Sequence, residues 1–279
     1  MGFDGTACRA LFVAGSLADD VSIYGQGGQT FGQDDTSNER ISSDFDEWSG
    51  HTITIQTDPA ELATPVKILG RIQSGGDNNT TGVGTLLIKK LMNYGTFSFK
   101  DPGSITFYSG SSAGSLLHIE DCAFALTKKQ FFFSNSGKSE AGSYIKNCTI
   151  ALEENFAFPP WSGTLDITSG WIAVYNCVFL VHSGTVNVVT IGSSISSSGK
   201  NNTAYNYSSG KTVALPGDWT DGVVNQDPSF AVPLIQSYRE DPADIVARSA
   251  ALTATSIPCI DNADVDTATT TDILGNPRT

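Results

Sequence analysis

Ile119-Glu-Asp-Cys-Ala-Phe124, Ile145-Lys-Asn-Cys-Thr-Ile150 and Val174-Tyr-Asn-Cys-Val-Phe179 are three copies of one phrase, set 26 and 29 residues apart. Repeats at this period mark a solenoid. Side chains of a plain strand alternate between two faces, so the apolar residues at positions 1, 4 and 6 of the phrase face inward together only if the chain kinks at position 3. Asp121, Asn147 and Asn176 occupy that position. Asp and Asn tolerate the left-handed backbone, so each can bend the chain between two short strands and return the following cysteine to the interior. The expected unit is one coil of a parallel β-helix.

Weaker copies extend the series. Leu91-Met-Asn-Tyr94 places a bend at Asn93, 28 residues before Asp121, and Asn201-Asn-Thr-Ala-Tyr205 places one at Asn202, 26 after Asn176. His51–Thr57 and Val66–Gly70 read as strands of an earlier coil, being rich in apolar and β-branched residues. About six coils are expected over residues 51–215, and at about 4.8 Å per stacked strand they form a rod on the order of 30 Å long. The expected class is all-β, a right-handed parallel β-helix. Residues 1–50 form an irregular N-terminal cap or attachment arm, and residues 216–279 a C-terminal coil and closing segment.

Composition agrees with many strands and turns: the 279 residues include 28 Gly and 2 Met, and only 16% are charged. The 16 basic and 29 acidic residues give a net charge of −13, which argues against nucleic acid as a partner. No apolar run is long enough to span a membrane. Ala7–Ala18 makes a poor export signal, with Asp4 before it and Asp19-Asp20 after it. Met1-Gly2 with Thr6 matches a myristoylation pattern, and Asn78, Asn79, Asn147, Asn201 and Asn206 match glycosylation sequons; both patterns are too short to carry an argument.

Cys122, Cys148 and Cys177 share one register position and read as a stacked interior column in preference to a disulfide or metal set, because stacked Cβ vectors run parallel. Cys8 and Cys259 lie outside that register, and an odd cysteine count without a CxxC pair argues against structural zinc. His51, His118 and His182 are the only imidazoles, and each reads as an ordinary strand residue. Asp34, Asp35, Asp44, Asp46 and Glu47 form an acidic stretch without the spacing of a calcium loop, so a solvated face is the simpler reading.

Val224-Asn-Gln-Asp-Pro-Ser-Phe230, Ser256-Ile-Pro-Cys-Ile-Asp261 and Thr271-Asp-Ile-Leu-Gly-Asn-Pro-Arg278, together with the Asn-Cys coils, resemble the pectate-lyase-like superfold of right-handed parallel β-helices over roughly residues 88–279. Members of that superfold include polysaccharide lyases and hydrolases, adhesins, and tailspike and capsid-decorating proteins of bacteriophages. Such sequences commonly continue past the Gly-Asn-Pro-Arg phrase into a closing strand, whereas this one stops at Thr279. The resemblance therefore implies a C-terminal end closed by its own tail or by another chain.

The catalytic constellation of the family's hydrolases is present only as fragments: Asp19-Asp20, Asp34-Asp35, Gly50-His51 and Arg71-Ile-Gln73. The repetitive stretch offers Asp101, Glu120, Asp121, Glu140, Glu153, Glu154 and Asp166 as carboxylates for glycoside hydrolysis. A lyase base is missing, since no Arg occurs between Arg71 and Arg239. Tyr108, Trp161, Trp171, Trp219, Tyr205 and Tyr207 are candidate sugar-stacking residues, with packing under turns the competing fate, and Phe131-Phe-Phe133 reads as packing. The expectation is accordingly a non-catalytic virion surface protein, a capsid decoration protein before a tailspike. It would need no cofactor or metal, assemble as a homotrimer in the host cytoplasm, and contact capsid protein and host-surface polysaccharide. The competing expectation is an extracellular polysaccharide-binding or polysaccharide-degrading β-helix protein.

Overall fold

The computed structural model of the protein describes residues 19–31, 40–43, 50–69, 71–74, 85–94, 105–109, 116–126, 131–135, 142–152, 165–181, 186–187, 189–191, 195–206 and 212–227. Within them the chain is all-β, with long parallel sheets and no helix. Strands are numbered along the chain. One row consists of β1 (Val21–Gly25), β4 (Thr52–Thr57), β7 (Thr85–Lys89), β10 (Leu116–Glu120), β13 (Tyr144–Lys146), β15 (Leu165–Tyr175) and β19 (Ile195–Lys200). A second row consists of β3 (Arg40–Ser43), β6 (Arg71–Ser74), β9 (Ile105–Ser109), β12 (Phe131–Asn135), the first half of β15, and β18 (Val189–Ile191). The 11-residue β15 pairs β12 and β18 through one half and β13 and β19 through the other, which joins these rows into a single 12-stranded sheet.

The 8-stranded sheet runs β2 (Thr30–Phe31), β5 (Val66–Leu69), β8 (Leu91–Tyr94), β11 (Ala123–Leu126), β14 (Thr149–Leu152), β16 (Val178–Val181), β20 (Thr203–Asn206) and β22 (Val223–Val224). A small sheet pairs β17 (Val186–Asn187) with β21 (Val213–Ala214). Sequence neighbours fall in different rows while spatial neighbours lie a repeat apart, an arrangement compatible with a β-helix.

The bends carry the signature expected of them. Asp121, Asn147 and Asn176 have φ of 49°, 54° and 52°. Their N–H groups donate to the carbonyls of Lys146, Tyr175 and Lys200 one repeat further on, at 3.2, 3.0 and 3.1 Å. Each kink thereby keeps its place in the ladder of backbone bonds. Two bends differ from the sequence reading. The one before Asp121 lies at Lys90 (φ 52°), not Asn93, which sits within β8 opposite Phe124. Lys90 is held there by its ion pair with Asp121 at 3.1 Å and by the Thr57 hydroxyl, which donates to its carbonyl. The bend after Asn176 lies at Asn201 (φ 58°), and Asn202 takes the cysteine position.

Two columns fill the interior side of the first row, Ile53, Leu86, Leu117, Ser143 and Ile172 in one and Ile55, Ile88, Ile119, Ile145 and Val174 in the other, all at most 3% exposed and apolar but for Ser143, whose hydroxyl accepts from the Leu117 N–H at 3.1 Å. Beyond the bends a third column runs Val66, Leu91, Cys122, Cys148, Cys177 and Asn202, all buried. The three cysteines are free thiols that point inward one above another.

Parallel pairing begins within the stretch assigned to the cap: β1, β2 and β3 pair with β4, β5 and β6. It continues beyond residue 215, where Trp219 is buried over Gly199 and β22 pairs with β20.

Candidate functional site

Successive parallel strands bring side chains one repeat apart into direct contact. On the outward side of the row β7, β10, β13, β15 and β19, the position before each bend holds Lys89, Glu120, Lys146, Tyr175 and Lys200 in register. The position two residues earlier holds Leu87, His118, Tyr144, Ala173 and Ser198. This face concentrates the ionisable groups of the described repeats.

Its centre is a tight polar set. The Tyr144 hydroxyl donates to Glu120 Oε1 at 2.5 Å, and Lys146 Nζ lies 3.1 Å from the same oxygen and 4.6 Å from the centroid of the Tyr144 ring. Burial works against the Glu120 charge, but the Tyr144 hydrogen bond and Lys146 outweigh it and hold the carboxyl below its ordinary range. Burial, and then the bond to the Glu120 carboxylate, pushes the Tyr144 phenol well up. The His118 ring stacks on Tyr144 with centroids 4.1 Å apart and planes 13° from parallel. Its Nε2 lies 2.6 Å from the Gly142 carbonyl, which fixes the proton on that nitrogen and leaves Nδ1 as an acceptor. Burial lowers the His118 pKa, against the opposing pull of that carbonyl bond, so the ring is neutral at pH 7.

The remaining sequence candidates are scattered. Asp121 is buried at a bend and bound to Lys90. Asp166 lies in β15 opposite Phe132 and Thr190. His51 Nδ1 lies 3.4 Å from Asp20, at the start of β4 and far in register from His118. Trp219 is a packing residue, 8% exposed, its Nε1–H donating to Ser197 Oγ at 3.1 Å and its ring 6.2 Å from that of Phe179. Tyr205 lies on β20, Tyr108 on β9, Trp171 on β15 and Phe131–Phe133 on β12, so these aromatics fall on strands of three different rows. Of the sequon residues, Asn147 and Asn201 form bends and Asn206 is buried. Asp34, Asp35, Asp44, Asp46, Glu47, Asp101, Glu140, Glu153, Glu154, Trp161, His182, Tyr207, Cys8, Cys259, Asn78 and Asn79 lie outside the described residues, as does everything after Asp227.

The lysine row and Tyr144 are residues of this face that sequence reasoning passed over. Their signal was present in the repeat itself, as the residue ahead of each bend: Glu120, Lys146 and Tyr175 in the three full copies. Among the described residues no group of three or more His, Cys, Asp or Glu side chains is placed to hold a metal ion, and no helix is long and apolar enough to cross a membrane. No protein-family model, curated protein or solved structure matches the chain.

Proposed function

We propose that the chain is a right-handed parallel β-helix of about six coils that serves as a structural, non-catalytic protein of a virion surface, a capsid decoration protein before a tailspike, assembled as a homotrimer. The observation that carries the structural role is the unbroken parallel pairing from β1 to β19 around a packed interior of aliphatic and thiol side chains. Such a stack transmits load along its length and needs no ligand to hold its shape. The order in which the chain visits the rows supports the coil: β4, β5 and β6, then β7, β8 and β9, then β10, β11 and β12 pair rung on rung.

The state of Glu120 argues against acid catalysis on the described face. A glycosidase acid must stay protonated near neutral pH, which requires a raised pKa, whereas Glu120 is held ionised by Tyr144 and Lys146. Attachment is assigned to the residues ahead of β1, since residues 21–43 carry strands of the stack. Deleting residues 2–18 should leave a soluble, β-rich oligomer that no longer binds the source particle, as seen by electron microscopy and co-sedimentation. Normal decoration by the truncated protein, or a monomeric full-length protein without a particle partner, refutes this reading. The second reading is an extracellular glycan-binding or glycan-degrading protein, and the basic outer face favours its binding half. Turnover of an acidic polysaccharide abolished by Glu120→Gln would replace the structural reading with an enzymatic one.

A further inference from the structure

We propose that Lys90 and Asp121 join through an amide between Nζ and Cγ, a covalent staple across two successive repeats that the folded chain forms by itself. This goes beyond the structural reading and requires neither a particle nor an oligomer. The first observation is the contact. Lys90 Nζ lies 3.1 Å from Asp121 Oδ2, with the lysine side chain 12% exposed and the aspartate 2%. The pairs Lys146 with Glu120 and His51 with Asp20 are both more open to solvent. An ion pair buried this far gives up the hydration of both charges and gains little over a neutral pair of similar shape. The second observation is the column in which the pair stands. Lys90, Asp121, Asn147, Asn176 and Asn201 follow one another at the bends of successive repeats, each with φ between 49° and 58°. Further along it neutral amides meet, Asn176 Nδ2 donating to Asn147 Oδ1 at 3.2 Å. Apart from Lys90, every described non-glycine residue with positive φ is Asp or Asn, the types whose short polar side chains suit that backbone. Lysine brings a nucleophile to a position that the rest of the column fills with amides and carboxyls. The staple turns Asp121 into an N-substituted asparagine, uncharged, with an N–H to donate and Oδ1 to accept.

The chemistry balances within the pair. One proton passes from the ammonium Nζ to Oδ2 across the contact, which leaves an amine and a carboxylic acid and discharges both buried ions. Nζ then attacks Cγ. The C–N bond forms, a second proton moves from nitrogen to Oδ2, the Cγ–Oδ2 bond breaks and water departs; nothing is oxidised or reduced. Amide formation from these groups is unfavourable between separate molecules in water, whereas holding them face to face raises the effective concentration to about 10⁵–10⁸ M. The backbone fixes both partners: the Lys90 N–H donates to the Glu120 carbonyl and the Asp121 N–H to the Lys146 carbonyl, each at 3.2 Å. The product closes residues 90–121 into a ring that denaturant does not open.

The test is the intact mass of the full chain, kept folded for several days at physiological temperature and then denatured and reduced. It should fall short of the sequence mass by one water in most molecules. Trypsin should leave the bond after Lys90 uncut and release a branched product in which Lys90 is linked to Asp121. Lys90→Arg keeps the charge and removes the nucleophile, so it should restore the full mass. Lys89→Arg, one residue away, should retain the deficit. An aspartyl succinimide also lacks one water, but hydroxylamine opens it and Lys90→Arg does not prevent it. The full sequence mass throughout, a deficit that persists in Lys90→Arg, or one that hydroxylamine removes overturns the proposal. The measurement on the unaltered chain decides the matter even where a variant folds poorly.

Discussion

Replacing Asn202 by alanine should be among the most damaging single changes in the described core. Asn202 is 1% exposed; its Oδ1 accepts from the Cys177 N–H at 2.9 Å and its Nδ2 donates to the Val174 carbonyl at 2.9 Å. Alanine leaves that donor and that acceptor buried without partners, at about 1–3 kcal/mol each, or about 2–6 kcal/mol together. A domain of ordinary stability, about 5–15 kcal/mol, would lose a large fraction of its margin. Cysteine should cost about half as much. Thiols of the column already reach the equivalent carbonyl one repeat back, Cys122 to Ile88 at 3.7 Å and Cys177 to Ile145 at 3.6 Å, so only the Cys177 N–H would be orphaned. Aspartate should be worst, since it buries a charge facing the Val174 carbonyl. Asn201→Ala is the control: it strains a backbone with φ 58° by about 1–2 kcal/mol and touches no core hydrogen bond, and Asn201→Gly relieves that strain. Urea unfolding followed by circular dichroism should therefore rank the Asn202 variants Cys, Ala, Asp in falling stability. If Asn202→Ala loses less than about 1 kcal/mol, or less than Asn201→Ala, Asn202 is not the interior residue and the register after Asn176 is wrong.

Gly199→Ala should destabilise and disturb indole fluorescence, because a Cβ there would stand 2.1 Å from Trp219 Cδ2 and 2.5 Å from Cγ; overpacking of this kind costs about 1–3 kcal/mol. Trp219→Ala added to it should give a double variant less damaged than the sum of the two, and strict additivity would show that the rings and backbone are not in contact. Cys122, Cys148 and Cys177 should stay unmodified by a thiol reagent at pH 8 until urea unfolds the chain, since all three are buried and burial pushes the Cys122 and Cys148 thiols well above their ordinary pKa; labelling in the native state contradicts that. Stability should fall in acid. Glu120 is held below its unfolded pKa, so its contribution is complete above the ordinary carboxylate range and disappears as pH drops through the lowered value. His118, also lowered, adds a loss as pH drops below its unfolded pKa near 6.5. Glu120→Gln should flatten the carboxylate part of that profile, and an unchanged acid limb would remove Glu120 from the account.

The three full repeats were legible because a left-handed bend leaves a mark in sequence: Asp121, Asn147 and Asn176 are residue types that tolerate φ near 50°, and the apolar residues on either side report the change of parity. The bend at Lys90 left no such mark. There the unfavourable backbone is held by partners a repeat away, the Asp121 carboxylate one strand onward and the Thr57 hydroxyl one strand back, and such contacts exist only once the strands are in register. Asn201 and Asn202 show the same limit from the other side. Either could bend the chain by its own chemistry; the pairing of Thr203 with Val178 puts the first at the bend and the second inside. Trp219 reads alone as a packing or a stacking aromatic, and Gly199 one strand away opens the space that buries it.

The candidate face obeys that rule most completely. Lys89, Glu120, Lys146, Tyr175 and Lys200 are separated by 25 to 31 residues and share along the chain only their place ahead of a bend. Stacking converts their common place ahead of each bend into a line of alternating character with a fixed pitch. In a stacked parallel sheet a bend therefore does two things at once. It returns the following side chain to the core, and it fixes the preceding one on the outer face at the spacing of the strands. Interior packing and the spacing of the outer side chains are then set by the same residue, and a change of register that spoiled the cysteine column would break the lysine pitch with it.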